Sequence, residues 1–508
     1  KGDDRFRDIG RRCKVVWGVW FHGMAKCDLD GVDFPPETPR ERILSMDDLA
    51  TERIQQSIDR LFASEASHGV KTRLDDADDA WILNEVLVPS IPGLSPSMRS
   101  QSDFTEVVYK QLIQEQMRVL DFLDGQHSAV INGMAGTGKT FVAIERARRC
   151  AMRGERTLFL CFNTALRDCL ASEFGNANRD LASKVDFKTL DDFVAIYAGP
   201  LPNDLRRFPK DKVLELQSAR YSRAVRDLRS DPSRLPWTQV IVDEGQDCAI
   251  PYIEQSGIMD VLKDTVVAKK NKTGNASSLF MFYDAFQLVS LRASDTAELP
   301  RVIRDADCKL TLYKNCRNTH SIAHAATSGI LGAGKYPEMA AGALQGIKPE
   351  LIFVDPNASP EDYSVVVAAR IGKLREDFSA SEIVVLSCSP YGDGHSRLER
   401  KLTPKGDNGR MFNQAYRFST YRKFKGLDAP VVVLVDVDRN AFVGAHDAMP
   451  FYEGASRARQ RLVVFASMSG EDCSEVVAAY SEEGKSVSLE DARSAFADIF
   501  CMAEEREK

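Results

Sequence analysis

The chain has 508 residues, 44% of them hydrophobic and 28% charged, a usage that excludes a mainly disordered, collagen-like or membrane-spanning protein and sets an expectation of about three folding units. Lys and Arg number 67 against 74 Asp and Glu, a net charge of −7, so no blanket positive field serves nucleic-acid binding, which would have to come from local grooves and backbone dipoles. The 11 cysteines include no Cys-x-x-Cys pair and no zinc-ligand spacing, which points to reduced thiols in a cytoplasmic protein.

In chain order, the β-branched and aromatic run Val15 to Phe21 predicts a strand, and Asp33 to Pro39 a Pro-rich turn. Ser45 is placed to cap a helix running through Leu61. Residues 70 to 105, with Pro89, Pro92 and Pro96, suit a connector, and a domain boundary is expected near Ser102. Strand and helix then alternate: Ala129 to Ile131, Thr140 to Arg149, Thr157 to Phe162, Thr164 to Phe174. Further buried strands are expected at Val240 to Val242, Leu279 to Tyr283, Ile383 to Leu386, Val431 to Val435 and Leu462 to Ala466, the pattern of parallel sheets covered by helices. His320 and His324 can share a helix face but lack further ligands nearby, so they do not predict a metal site. The tail after Ser469 reads as helical and acidic. The longest apolar runs fall far short of the roughly 20 residues of a membrane helix. The chain begins at Lys1 without a charged segment leading into an apolar core, so no secretory leader is expected and the sequence reads as trimmed or partial.

Gly133-Met-Ala-Gly136-Thr-Gly138-Lys139-Thr140 fits G-x-x-x-x-G-K-[ST] between a short apolar strand and an amphipathic helix, the context that gives this pattern its meaning. Glycines let backbone N–H groups turn inward around the phosphates of ATP, and the helix N-terminus adds its positive end. Lys139 reaches the β/γ oxygens and Thr140 offers a hydroxyl to Mg2+. The second half of such a site is an apolar strand ending in carboxylates, supplied by Val240-Ile-Val-Asp243-Glu244. Asp243 is expected to hold Mg2+, and Glu244 to act as general base on the attacking water, which favours a hydrolase over a kinase.

Asp243-Glu-Gly-Gln246-Asp247 resembles the DExQD box of superfamily I helicases of the UvrD/Rep type, and other boxes follow in family order. Leu112-Ile-Gln-Glu-Gln116 resembles the Q motif, whose glutamine reads adenine. Phe162-Asn163-Thr-Ala-Leu166 and Phe187-Lys-Thr189-Leu190 resemble segments that hold the backbone of a single strand. Tyr283-Asp284-Ala-Phe-Gln287 resembles the box whose glutamine senses the γ-phosphate, and Leu312-Tyr-Lys-Asn315-Cys-Arg317 the L-x-x-N-Y-R box. Thr420-Tyr-Arg422-Lys-Phe-Lys425-Gly426-Leu-Asp428 aligns with T-x-H-x-x-K-G-L-E, and Tyr452-Glu-Gly-Ala-Ser456-Arg457-Ala-Arg459 with Y-V-A-x-[ST]-R-A-R.

The resemblance implies an α/β fold of two RecA-like P-loop NTPase domains with parallel sheets, here with a small α+β N-terminal segment, and an expected division into 1–101, 102–300, 301–470 and 471–508. It assigns ATP contacts to Gln116, Gly426 and Asp428, catalytic roles to Gln287, Arg317 and the finger Arg457, and strand contacts to Phe162, Asn163, Thr189, Thr420 and Arg422. The implied activity is a nucleic-acid-stimulated ATPase translocating on single-stranded nucleic acid, DNA in preference to RNA. The rival is an ATP-dependent binding switch or regulatory subunit, with a nuclease or a repair or phage-defence system as partner. Departures from the pattern are Leu288-Val-Ser-Leu-Arg292, where the family carries stacking aromatics, Asp428 for Glu and Arg422 for His. Residues 13 to 62 loosely resemble part of a nuclease-related (NERD) domain, with Glu483-Gly-Lys485 a chance-level match to nuclease ligands. The intervals from Lys139 to Asp243 and from Arg317 to Lys425 leave little room for the accessory domains of full helicases, so weak unwinding is expected.

Overall fold

The computed structural model describes residues 19–21, 42–45, 48, 54–63, 119–202, 205–267, 277–290, 300–332, 335–340, 343–389, 412–413, 416–443, 448–481 and 488–504. The chain divides into two units, Lys1–Ser95 and Pro96–Lys508.

In the first unit, strand β1 (Val19–Phe21) pairs in parallel with β2 (Ile43–Ser45), and helix α1 spans Ile54–Ala63. Ser45 therefore ends a strand and does not cap the helix, which starts well downstream. Its N–H and hydroxyl both donate to Asp48, which also accepts from Ser57 and Arg60 of α1, so Asp48 ties the strand to the helix.

The second unit holds two RecA-like α/β lobes. The first sheet has the order β5-β4-β6-β7-β3-β8, all parallel. Its elements are β3 (Ser128–Gly133), α2 (Lys139–Met152), β4 (Thr157–Cys161), α3 (Thr164–Ala177), β5 (Val185–Thr189), α4 (Leu190–Ala198), α5 (Lys210–Ser230), β6 (Gln239–Val242), α6 (Pro251–Ser256), α7 (Ile258–Val267), β7 (Ser278–Tyr283), α8 (Ala285–Ser290), α9 (Arg301–Arg304) and β8 (Cys308–Leu312). The second sheet has the order β11-β12-β10-β13-β14-β9-β15, parallel except for the antiparallel edge strand β11. It is built from α10 (His320–Leu331), β9 (Glu350–Phe353), α11 (Pro360–Leu374), β10 (Ile383–Ser387), β11 (Phe412–Asn413), β12 (Tyr416–Thr420), β13 (Ala429–Val437), α12 (Met449–Ala455), β14 (Ala458–Ala466), α13 (Gly470–Tyr480), α14 (Ala492–Ile499) and β15 (Ala503–Glu504).

Both sheets are covered on both faces, which is why the central strands β4, β6, β10 and β13 are near-continuous apolar runs and not alternating ones. In the first lobe Leu158, Leu160, Val240 and Val242 pack against Phe193, Tyr221 and Leu262. Their neighbours Phe159, Cys161 and Ile241 face Val142, Leu166 and Phe174 on the other side. In the second lobe Val384, Leu386, Val432 and Leu434 pack on Phe451, Phe496 and Phe500, while Val385, Val431 and Val433 meet Tyr363, Val367 and Ile371 of α11.

Strand membership divides the chain differently from the expected boundaries. Residues 308–312 complete the first sheet beside β3, beyond the expected limit at 300. The segment after 470 is part of the second lobe: Cys473, Val477 and Phe496 enter its core and β15 pairs with β9. Among the described residues, no helix is long and apolar enough to cross a membrane.

Candidate functional site

The loop between β3 and α2 turns through Gly136 and Gly138, whose φ angles of 85° and 83° favour glycine. A Cβ at Gly136 would press the Asn315 amide at 2.6 Å. Gly138 starts α2 without a side-chain cap, and no acidic residue stands in the first turn, so the amides at this helix start remain open to an anion. Lys139 is buried and its Nζ donates to the carbonyls of Gly133 (2.6 Å) and Met134 (3.0 Å). Burial lowers its pKa against the opposing pull of Asp284, Glu244 and Asp243.

The hydroxyl of Thr140 donates to Asp243 Oδ2 at 2.7 Å, joining the loop to the end of β6. These are hard oxygen donors, a set that suits Mg2+. Asp243 is fully buried, and burial together with the Glu244 carboxylate pushes its pKa up. Burial disfavours the charged form of Glu244 too, but Lys425, Arg457 and Lys139 outweigh it and hold Glu244 below the usual range. Glu244 adopts φ 55°, a left-handed conformation uncommon outside glycine, at the point where β6 ends.

Gln246 links the Glu244 carboxylate to Gln287. Its Nε2 donates to Glu244 and, at 2.9 Å, to Gln287 Oε1, while its Oε1 accepts the Asp284 N–H at 3.0 Å. Gln287 in turn donates to Asp284 Oδ2 at 3.0 Å. The buried Tyr452 of α12, in the second lobe, donates to the same oxygen at 2.8 Å and accepts the Ala135 N–H of the phosphate loop at 2.7 Å.

Several contacts join the lobes around this site. Lys425 Nζ donates to Asp247 Oδ1 at 2.6 Å. Asn163 Nδ2 donates to the carbonyls of Lys423 (2.5 Å) and Lys425 (3.3 Å), while its Oδ1 caps α3. A Cβ on Gly426 would lie 2.4 Å from Leu166, so that turn packs directly on the first lobe. Cys316 N–H donates to Gly136 O at 2.9 Å, and Asn318 donates to the carbonyls of Ser456 (3.0 Å) and Ala458 (2.5 Å). Arg317 therefore lies in the crossing between the sheets, where its Nε pairs with Asp428 at 3.1 Å. Arg459 approaches the other Asp428 oxygen at 3.5 Å. Arg457 is buried, its Nε donates to the Glu453 carbonyl at 3.0 Å, and its charge acts on Glu244.

Beside this network lies a cleft of about 670 Å³, lined among others by Phe162, Thr189, Tyr252, Arg422, Asp247 and Lys425. Three of the five expected strand contacts, Phe162, Thr189 and Arg422, thus share one cleft. The other two are not among its lining: Asn163 is engaged as described, and the Thr420 hydroxyl accepts the Lys423 N–H at 3.3 Å; within the cleft, Thr189 also caps α4 by accepting the Asp192 N–H at 3.0 Å, and Arg422 donates to the Tyr421 hydroxyl at 2.8 Å. Lys139, Thr140, Asp243, Glu244 and Gln287 converge on the loop side, with Gly133, Gly136 and Gly138 shaping the loop. Gln116, the side chains of residues 288 to 290, residues 291 and 292, and Glu483 to Lys485 lie outside the described residues. His320 and His324 form an edge contact at 6.0 Å, and His324 stacks on Tyr336. No cluster of three or more metal-ligating groups exists among the described residues.

Gln246, Asp247, Asp284, Lys425 and Tyr452 stand within the boxes, but sequence alone assigns them no role. Besides near neighbours, they meet partners from distant boxes, Asp247 with Lys425, Gln246 with Asp284 and Gln287, and Tyr452 with Ala135 and Asp284, which spacing along the chain does not reveal.

Residues 100–198 match the family described as type III restriction enzyme, res subunit (ResIII). That segment carries β3, β4, β5 and the phosphate loop, and it stops before Asp243. No curated protein matches the chain significantly. The match supports a helicase-type ATPase superfamily, in which a P-loop fold that binds ATP and acts on nucleic acid is the common denominator.

Proposed function

We propose that the chain is a nucleic-acid-stimulated ATP hydrolase that translocates along single-stranded DNA in the manner of the UvrD/Rep type. The observation that carries this is the convergence, in one crossing between two lobes, of Lys139, Thr140, Asp243 and Glu244 from the first with Arg457 and Lys425 from the second. The open helix start at Gly138 and Lys139 would bind the phosphates, and Glu244, kept ionised by the surrounding cations, would orient and deprotonate the attacking water. Gln246 holds the Glu244 carboxylate in place and links it to Gln287. Arg457 and Arg317 would meet the γ-phosphate on closure, coupling turnover to lobe motion. Bound at Thr140 and Asp243, Mg2+ would neutralise phosphate charge. Phe162, Thr189 and Arg422 would hold the strand in the adjacent cleft.

The division into an N-terminal segment, two motor lobes and a helical tail is kept as a working arrangement, with the lobe limits moved to follow the strands. Between Lys139 and Asp243 the described residues hold core elements and one long helix, α5, and no separate accessory domain. A motor so built has little with which to split base pairs. ATPase assays with and without single-stranded DNA or RNA, run beside strand displacement from a tailed duplex, test the proposal. The expected outcome is strong stimulation, greatest with DNA, and weak displacement. Hydrolysis indifferent to either polymer would favour a switch, and processive displacement would refute the view that accessory domains are missing.

A further inference from the structure

Asp247 is a carboxylate on the wall of a cleft whose expected occupant is a polyanion. It lies on the far side of the DExQD box from Asp243, its side chain is 14% exposed, and it lines the cleft together with Phe162, Thr189 and Arg422. It is one of four carboxylates in that lining, with Asp191, Asp192 and Glu453, and a fixed anion there repels phosphates, so its presence calls for a reason. Its partner supplies one: Lys425 Nζ lies 2.6 Å from Asp247 Oδ1, lines the same cleft, and is carried on the turn between β12 and β13, which is clamped to the first lobe by Asn163 and Gly426. An ammonium has three protons to share, and Asp247 takes one of them.

We propose that the Asp247 carboxylate stands in for a strand phosphate, and that exchange of Asp247 for a phosphodiester oxygen on Lys425 is the event by which the strand cleft reports occupancy to the ATP site. This rests on the proposed function above.

The groups around Lys425 make the exchange consequential. Asp247, Glu453 and Glu244 all act on its charge, and Asp247 is tied directly to Glu244, whose carbonyl accepts the Asp247 N–H at 3.1 Å. A shift of the ammonium toward the cleft therefore changes the field on the carboxylate that Gln246 holds next to Gln287. Arg422 also lines the cleft and its charge acts on Asp247, but it is held by Tyr421, to whose hydroxyl its Nε donates at 2.8 Å, and it serves as the comparison contact. Both alternative partners of Lys425 are anions, which makes the pair a two-position element that a strand biases by differential affinity.

The test uses the full chain, a labelled oligothymidylate and its salt dependence. In Asp247→Asn, an isosteric change, the strand no longer competes with a carboxylate. Binding should tighten about tenfold, while the salt slope should stay near that of the wild type, because Lys425 meets a phosphate in both complexes. Maximal stimulation of ATP hydrolysis should fall at the same time, because the exchange no longer occurs. Lys425→Gln should shallow the slope by about 0.7, one phosphate contact, and remove most of the stimulation, and Lys425→Arg should restore the slope. The double variant Asp247→Asn/Lys425→Gln removes both charges and provides a folded comparison if the single Lys425 variant is unstable. Arg422→Ala should weaken binding while leaving stimulation at saturating strand. Tighter binding combined with weaker stimulation is not what a merely structural Asp247 would give. A responsive wild-type chain whose Asp247→Asn variant shows unchanged affinity and unchanged stimulation overturns the inference alone. A wild-type chain that ignores the strand overturns the functional reading and the inference together.

Discussion

The two lobes share one architecture and differ at one helix start. The order β12, β10, β13, β14, β9, β15 in the second sheet repeats β5, β4, β6, β7, β3, β8 in the first, so β9 stands where β3 does. After β3 the chain turns through Gly136 and Gly138 and enters α2 with its first amides uncapped. After β9 the corresponding connection has no glycine, and α11 is capped by Ser359, whose hydroxyl accepts the Asp362 N–H at 3.1 Å with Glu361 and Asp362 in the first turn. One helix start is left open for an anion and the other is filled by the protein's own oxygens. Sheet topology alone thus makes two candidate phosphate sites, and local side-chain chemistry keeps only one.

The largest effect is expected where the first lobe is made to lose its cation. Lys139→Ala should abolish turnover, a fall of at least about 10³-fold, because no other side chain in the loop carries positive charge to the phosphates. Near-normal hydrolysis in that variant would remove the basis for distinguishing the two helix starts. Glu244→Gln should still bind ATP while its single-turnover hydrolysis falls by about 10²–10⁴, the usual worth of a general base. Turnover like the parent's would show that Glu244 is not the base.

The second lobe's contribution should show as an effect on rate more than on affinity. Arg457→Ala should lower kcat by about 10³ with a much smaller change in KM. Arg317→Ala should do less, since Arg317 is also committed to Asp428. Changes confined to KM in both variants would mean that the second lobe only binds nucleotide. The smallest expected effect is at the filled helix start. Ser359→Ala should cost about 1 kcal/mol of stability, read from denaturant unfolding, and leave hydrolysis unchanged. A loss of ATPase activity there would mean that the second helix start is functional after all.

Much of the candidate site was legible because phosphate chemistry restricts residue types at fixed short spacings. The loop from Gly133 to Thr140 and the strand ending at Asp243 and Glu244 each carry their meaning within a few residues, and the structure joins them through the Thr140 to Asp243 hydrogen bond. Strands buried on both faces were legible for a similar reason: β4, β6, β10, β13 and the apolar second half of β14 read as apolar runs. Strand β8 was not, because Cys308–Leu312 alternates between half-buried and exposed positions and offers no run. Its pairing with β3 then moved the limit of the first lobe. Ser45 misled in the opposite way, since a serine before a helical pattern is a cap signal only if the chain does not first pass through a strand.

What the sequence by itself determined is the G-x-x-x-x-G-K-[ST] loop, the apolar strand ending in Asp243 and Glu244, and the parallel α/β class, all properties of short segments whose chemistry or periodicity is complete in itself. What only the tertiary structure decided is which groups face one another across the lobes: Asp247 with Lys425, Tyr452 with both Ala135 and Asp284, Asn163 with the turn that carries Lys425, and Arg317 with Asp428. These partners are separated by long stretches of chain, and a hydrogen bond or an ion pair depends on distance in space. Only the packing of the two sheets brings those side chains within reach.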